Sequence, residues 1–323
     1  MTAASLGIGT DPSATAAGTT GSVSVSGTGT GVVGAAVYGT NPAGATVFNS
    51  SGAFVDVIAA GSGLTVLTIT DCHLNGGTTV SWWDGTAWVL ASRQIYDGSR
   101  CVTITVTATT SPNLSQMAGT VFAAGSPPTT TAVATTADGK PYTAGTWTNQ
   151  TVTVAFTCTA GATATDLVTR ASDHQNQSAS GTCTDGLGQA TTTTFTGINV
   201  DKTPPACSIR VSPTVLWSPN GKPVAITGAV TTGDTLSGLA SVVGGAVTSN
   251  EALRPGDVRG FVVNTLYARP LQLGATVNLT GTLVATRAGD GNGRRYTQEV
   301  TVTDWAGNTA SCAWTVTIPH DQR

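Results

Sequence analysis

The chain has 323 residues, of which only 10 % are charged, and a formal net charge of −3. That length allows two or three domains with ample core. The thin, scattered basic residues exclude the clustered positive face that a nucleic acid requires, and Arg294–Arg295 is the densest basic spot. Thr makes up about a fifth of the chain and strong helix formers are scarce. A branched Cβ suits a pleated surface, so an all-β fold is expected. No run of 18 apolar residues occurs, so no membrane span is expected.

In chain order, residues 1–20 are small and polar and read as a flexible leader, without the basic and apolar regions of a secretion signal. Residues 21–126 alternate apolar and polar in short runs separated by Gly, Asn and Asp, the pattern of a β-sandwich. Within them "WWDGTAWV" reads as a hairpin turning on Asp84-Gly85. Pro127-Pro128 cannot donate ladder hydrogen bonds and mark a linker. A second unit spans 129–203. The paired prolines of "DKTPP" separate it from a third, 204–323.

The six cysteines, Cys72, Cys101, Cys158, Cys183, Cys207 and Cys312, contain no C-x-x-C pair. An even number in a Lys-poor β-rich chain points to disulfides and to an extracellular or cell-surface setting. Side-chain parity puts Cys158 with Val152, Val154 and Phe156, and Cys312 with Trp314, Val316 and Ile318, on core faces. Cys207 falls likewise with Ile209 and Val211, whereas Cys72 and Cys101 fall on threonine-rich faces. Six cysteines allow fifteen pairings. Sequential pairing keeps each bridge inside one proposed domain.

The stretch "TWTNQTVTVAFTCTA … GTCTDGLGQATTTTFTGINVDKTPP" resembles the immunoglobulin-like repeats of large secreted and surface proteins of bacteria. Gly145, Trp147, Thr148, Asn149, Cys158, Cys183, Asp201, Lys202, Thr203 and Pro205 carry that resemblance. The phrases "LWSPNGK", "DTLSG", "TSNE", "RAGDGNGRRY", "DWAGN" and "PHDQ" are similar to a C-terminal immunoglobulin-like domain of such proteins, with Ser218 and Gly221 departing from its pattern. Asn41-Pro42, "WWDGTAW", "CVTITVT" and "TSPNL" resemble a domain that accompanies them. The resemblance implies three tandem immunoglobulin-like sandwiches and identifies no ligand.

Four chemistries follow from particular residues. His320-Asp321 is the raw material of a hydrolase dyad, but His73 and His174 fall in other proposed domains and no G-x-S-x-G elbow exists. Pro-His-Asp is therefore expected to end the last strand and hold the exit chain by local hydrogen bonds. Calcium needs six to eight oxygen ligands on turns. Asp234, Asn250, Glu251, Asp290, Asn292, Asp304 and Asn308 are the candidate donors, against the alternative that they only shape turns. Trp82, Trp83 and Trp88 are candidate glycan contacts, against one core tryptophan and one cross-strand pair. By parity Trp88 goes with Trp82; Trp217 and Trp305 are expected to build small satellite cores.

The sequence thus reads as a non-enzymatic structural or adhesive module of a bacterial surface or secreted protein: stalk, adhesin or filament. Its partners would be neighbouring domains of a longer chain or copies of itself, with no cofactor required and calcium only a candidate ligand. One alternative is a carbohydrate-binding accessory region of a secreted polysaccharide-active enzyme, with glycan partners. Another is a self-assembling filament subunit whose leader adds a strand to the next copy.

Overall fold

A computed structural model describes residues 5–9, 13–18, 21–61, 63–159, 161–268 and 272–321. The chain is all-β: paired, mainly antiparallel sheets in tandem sandwiches, with a single 3-10 turn, Leu114–Gln116, as the helical element among the described residues. Its contacts divide it into two compact units. The first comprises Met1–Val133, Ala155–Val168 and Ser180–Thr194; the second Ala134–Val154, Thr169–Ala179 and Phe195–Arg323.

The first sandwich has a six-stranded sheet in the order Ser5–Gly9, Val32–Tyr38, Asn49–Ala60, Ala118–Ser126, Thr79–Trp83, Trp88–Leu90. Its five-stranded sheet runs Ser13–Gly18, Gly21–Thr28, Val66–Asp71, Val102–Val106, Gln94–Tyr96. Alternation does what the pattern predicts: Val23 and Val25, Leu67 and Ile69, and Val102, Ile104 and Val106 point inward against Val55, Val57, Val80 and Phe122. Each such buried side chain contributes about 1.5–3 kcal/mol relative to exposure.

The leader departs from expectation. Ser5–Gly9 pairs with Val32–Tyr38 and Ser13–Gly18 with Gly21–Thr28, so the described parts of it lie in sheets. The physical reason is backbone satisfaction: an edge strand leaves a row of unpaired N–H and C=O groups, and a small-residue segment can pair with it.

Residues 130–200 form a three-stranded sheet (Thr130–Thr136, Val152–Cys158, Val168–Arg170) and a four-stranded sheet (Trp147–Thr148, Ala190–Val200, His174–Asp185, Ala162–Ala164). Within the first unit Cys158 joins Cys183 across these two sheets. Gly181 gives Phe156 its place, because a Cβ there would meet the Phe156 ring at 2.2 Å.

The third sandwich packs Ala206–Ser212, Pro223–Gly233, Gly274–Val284 and Val258–Gly260 against a second sheet, Thr248–Ser249, Arg294–Asp304, Leu239–Gly244 and Asn264–Leu266, with Thr309–Ile318 paired to Arg294–Asp304. Ile226, Val230, Leu279 and Leu283 face Leu239, Val300, Val302, Trp314 and Val316 in its core. The cysteine pairs are Cys72–Cys101, Cys158–Cys183 and Cys207–Cys312. Cys72 and Cys101 flank neighbouring strands of one sheet, while Cys207–Cys312 joins opposite sheets.

Candidate metal centre and surface pocket

Three strand ends in the second unit bring carboxylates together. Asp201 follows Ala190–Val200, Asp234 follows Pro223–Gly233, and Asp304 ends Arg294–Asp304. Their exposures are 0, 4 and 2 %. One oxygen from each lies within 4.8 Å of those of the other two. Two oxygens bound to one calcium at 2.3–2.6 Å lie at most about 5 Å apart, so this spacing fits a shared calcium ion.

Local turns aim each group. Asp234 Oδ1 accepts from the Leu236 N–H (3.0 Å) and Gly238 N–H (2.6 Å), closing the D-T-L-S-G turn. Gly238 has φ 77°, which is the reason for glycine there. Asp304 Oδ1 accepts from the Asn308 N–H at 2.8 Å, closing D-W-A-G-N. Asn308 Nδ2 then donates to Asp304 Oδ2 (2.8 Å) and to the Asp201 carbonyl (2.9 Å). Asp201 accepts from Thr203 N–H at Oδ1 and from Ser237 N–H at Oδ2, both at 3.0 Å. The V-D-K-T-P-P segment is therefore fastened to the D-T-L-S-G and D-W-A-G-N turns. Burial pushes the Asp304 carboxyl up; Asn308 hydrogen bonds oppose this, and the neighbouring Asp201 and Asp234 charges add to it. A site that crowds three buried carboxylates favours whatever neutralises them, a proton or a cation.

The seven expected oxygen donors thus separate. Asp234, Asp304 and Asn308 meet around Asp201, a residue read from sequence only as part of a junction motif. The signal that could have found it is an acid directly after the buried strand end Ile198-Asn199-Val200. Asn250 and Glu251 lie elsewhere and serve other partners. Asn250 accepts from the Arg295 N–H (2.6 Å) and donates to the Gly293 carbonyl (3.0 Å). Glu251 Oε2 pairs with Arg294 Nε at 3.1 Å, and Asp257 Oδ2 with Arg294 Nη1 at 2.8 Å. Arg294, with a side chain 6 % exposed, is their internal cation and no part of a basic surface. Burial works against its charge, but hydrogen bonds with Tyr296, Asp257 and Glu251 hold its pKa above the ordinary value.

Asp290 and Asn292 line an open surface pocket of about 640 Å³ with Trp217, His320 and Asp321. His320 Nδ1 lies 3.0 Å from Asp321 Oδ1, and Nε2 3.0 Å from the Gly289 carbonyl. Both ring nitrogens face acceptors, one on the exit chain and one on the 287–293 loop. These two contacts raise the imidazole pKa, the Gly289 carbonyl most, while Arg287 opposes them. The strand Thr309–Ile318 stops before Pro319, and the exit chain is held by this latch.

The candidate glycan contacts Trp82, Trp83 and Trp88 do not form an exposed platform. Trp82 and Trp88 are each 4 % exposed. Trp82 lies in the sandwich core and donates to Ser111 Oγ at 3.1 Å. Trp88 packs among Phe48, Phe54 and Trp83 and donates to the Gly44 carbonyl at 2.8 Å. Half-buried Trp83 lies over Gly44, where a Cβ would meet its ring at 2.3 Å. Trp83, not Trp82, is the cross-strand partner of Trp88, because the four-residue turn shifts the parity. Their faces are spent on protein neighbours. Trp217, by contrast, is 46 % exposed and builds no satellite core.

No protein-family model matches the chain, and a search of curated proteins finds no match.

Proposed function

We propose that this chain is a non-enzymatic structural or adhesive module of a bacterial surface or secreted protein, working outside the cell, with calcium held by Asp201, Asp234 and Asp304. The observation that carries this reading is that all six cysteines are paired, as three bridges placed 25 to 105 residues apart in sequence. Disulfides persist in oxidising compartments, and loops of these lengths restrict the unfolded chain by roughly 3–5 kcal/mol each. Threonine-rich outer faces keep the sheets hydrated with little charge.

Calcium adds a second fastening. Bound by the three carboxylates, it would neutralise their mutual repulsion and tie the V-D-K-T-P-P segment to the third sandwich. The test is scanning calorimetry of the oxidised protein in calcium and in EDTA. At calcium about 100-fold above Kd, stability should rise by about 2.7 kcal/mol, and the gain should vanish in Asp304→Asn. Equal melting with and without calcium removes the metal from this reading. Free thiols in native material, counted by mass spectrometry, overturn the extracellular module itself.

A further inference from the structure

The second unit carries a ligand-shaped feature that neither the metal centre nor the disulfides use: the pocket beside Trp217. Its construction starts with Leu216, which is 2 % exposed and sits in the core. The Leu216 N–H donates to the Thr317 carbonyl (2.9 Å), and the Thr317 N–H to the Thr214 carbonyl (2.9 Å), so the segment lies against the last strand. With Leu216 turned inward, its neighbours Val215 and Trp217 turn outward, at 52 and 46 % exposure.

The opposite wall is the 287–293 loop, and it is held in place. Arg287 Nη2 donates to the His320 carbonyl at 2.9 Å, and His320 Nε2 reaches the Gly289 carbonyl. Gly293, at φ 92°, comes so close to the exit chain that a Cβ would lie 2.6 Å from the Ile318 carbonyl oxygen. Asp290 and Asn292 face the space between this loop and Trp217.

The chemistry of the lining selects the ligand class. An exposed indole supplies a broad apolar face with a polar edge. Carboxylate, carboxamide and imidazole groups supply planar acceptors and donors around it. Asp290 and Asp321 disfavour an anion. His320, at 3.0 Å from Asp321, and Arg287, which does not line the pocket but donates to the His320 carbonyl, offset part of their charge and so weaken the case for a cation. The open polar rim does not suit a purely apolar molecule, which needs enclosing walls. What remains is a neutral polyol with one C–H face and several hydroxyls, and the volume lies in the range of small-molecule sites.

We propose that this pocket binds a neutral saccharide unit, stacked on Trp217 and hydrogen-bonded by Asp290, Asn292 and Asp321. The site gives the module a glycan contact and does not depend on the calcium reading, since its residues are distinct from the Asp201 cluster.

The test uses the full oxidised chain on an array of neutral gluco-, manno-, galacto- and N-acetylglucosamine oligosaccharides, followed by titration calorimetry with whichever binds. Binding should fall at least tenfold in Trp217→Ala, fall less in Trp217→Phe, and weaken in Asn292→Ala. Trp83→Ala serves as the control that keeps full affinity. Circular dichroism of each variant separates loss of binding from loss of fold, and the exposed position of Trp217 makes a folded variant the expected result. Binding to no array member, or affinity unchanged in folded Trp217→Ala, overturns the proposal.

Discussion

The first and third sandwiches are assembled from the same alternating strands but dispose of charge in different ways. In the first, the space between the sheets is filled by aliphatic residues with Trp82 and Phe122. A buried polar contact there is local: His73 Nδ1 lies 3.0 Å from Asp71 Oδ1, beside the Cys72–Cys101 bridge. In the third, charge is organised at two separate places. Arg294 is enclosed by Glu251, Asp257 and Tyr296, and three aspartates meet at the strand ends by the V-D-K-T-P-P segment. A disulfide within one sheet and an oily core serve a scaffold. Buried charge is costly unless it is paired or neutralised, and here it is gathered at these two places.

The largest contrast should come from the bridges. Removing Cys207–Cys312 with paired serines opens a loop of 105 residues and should cost roughly 4–5 kcal/mol, whereas Cys72–Cys101, with a separation of 29, should cost roughly 3–4. Urea unfolding of the two variants checks the order; a costlier Cys72–Cys101 loss would break the contrast.

Next is Arg294. Arg294→Ala leaves Glu251 and Asp257 buried without their cation and should destabilise by about 3–5 kcal/mol. Truncating a half-buried acid, as in Asp56→Ala of the first sandwich, should cost less, because partial burial already raises the Asp56 pKa. Chemical denaturation of both variants compares the two modes.

The smallest effect is the pH response of the triad. The folded Asp304 carboxyl is raised, so it binds its proton more tightly folded than unfolded. Its contribution is full below the ordinary carboxyl value of about 3.9 and is lost as pH rises through the raised folded value. In EDTA, melting of the third sandwich should therefore move down across that window relative to Asp304→Asn. Calcium should flatten the dependence. A melting profile identical in the two proteins would place no titration at the triad.

How much of this was legible from sequence differs by feature. The core faces of Val152–Phe156 and Trp314–Ile318 follow from period-two alternation, because a pleated strand leaves no other choice of side. The Asp84-Gly85 hairpin was equally readable: Asp84 Oδ1 accepts from the Thr86 and Ala87 N–H groups, and Gly85 takes φ 102°. The leader was not: Ser13–Gly18 pairs with the strand that follows it, Gly21–Thr28, but Ser5–Gly9 pairs beyond that neighbour with Val32–Tyr38. Nor was the destination of Glu251, which depends on Arg294, 43 positions away.

By itself, then, the order of residues determined strand faces and turns, because these rest on neighbours one to four positions apart. Only the tertiary structure decided which acids share one space, which tryptophans are spent inside and which one faces solvent. Those outcomes depend on where distant strands end. Asp201, Asp234 and Asp304 lie 33 and 70 residues apart along the chain, yet their oxygens lie within 4.8 Å.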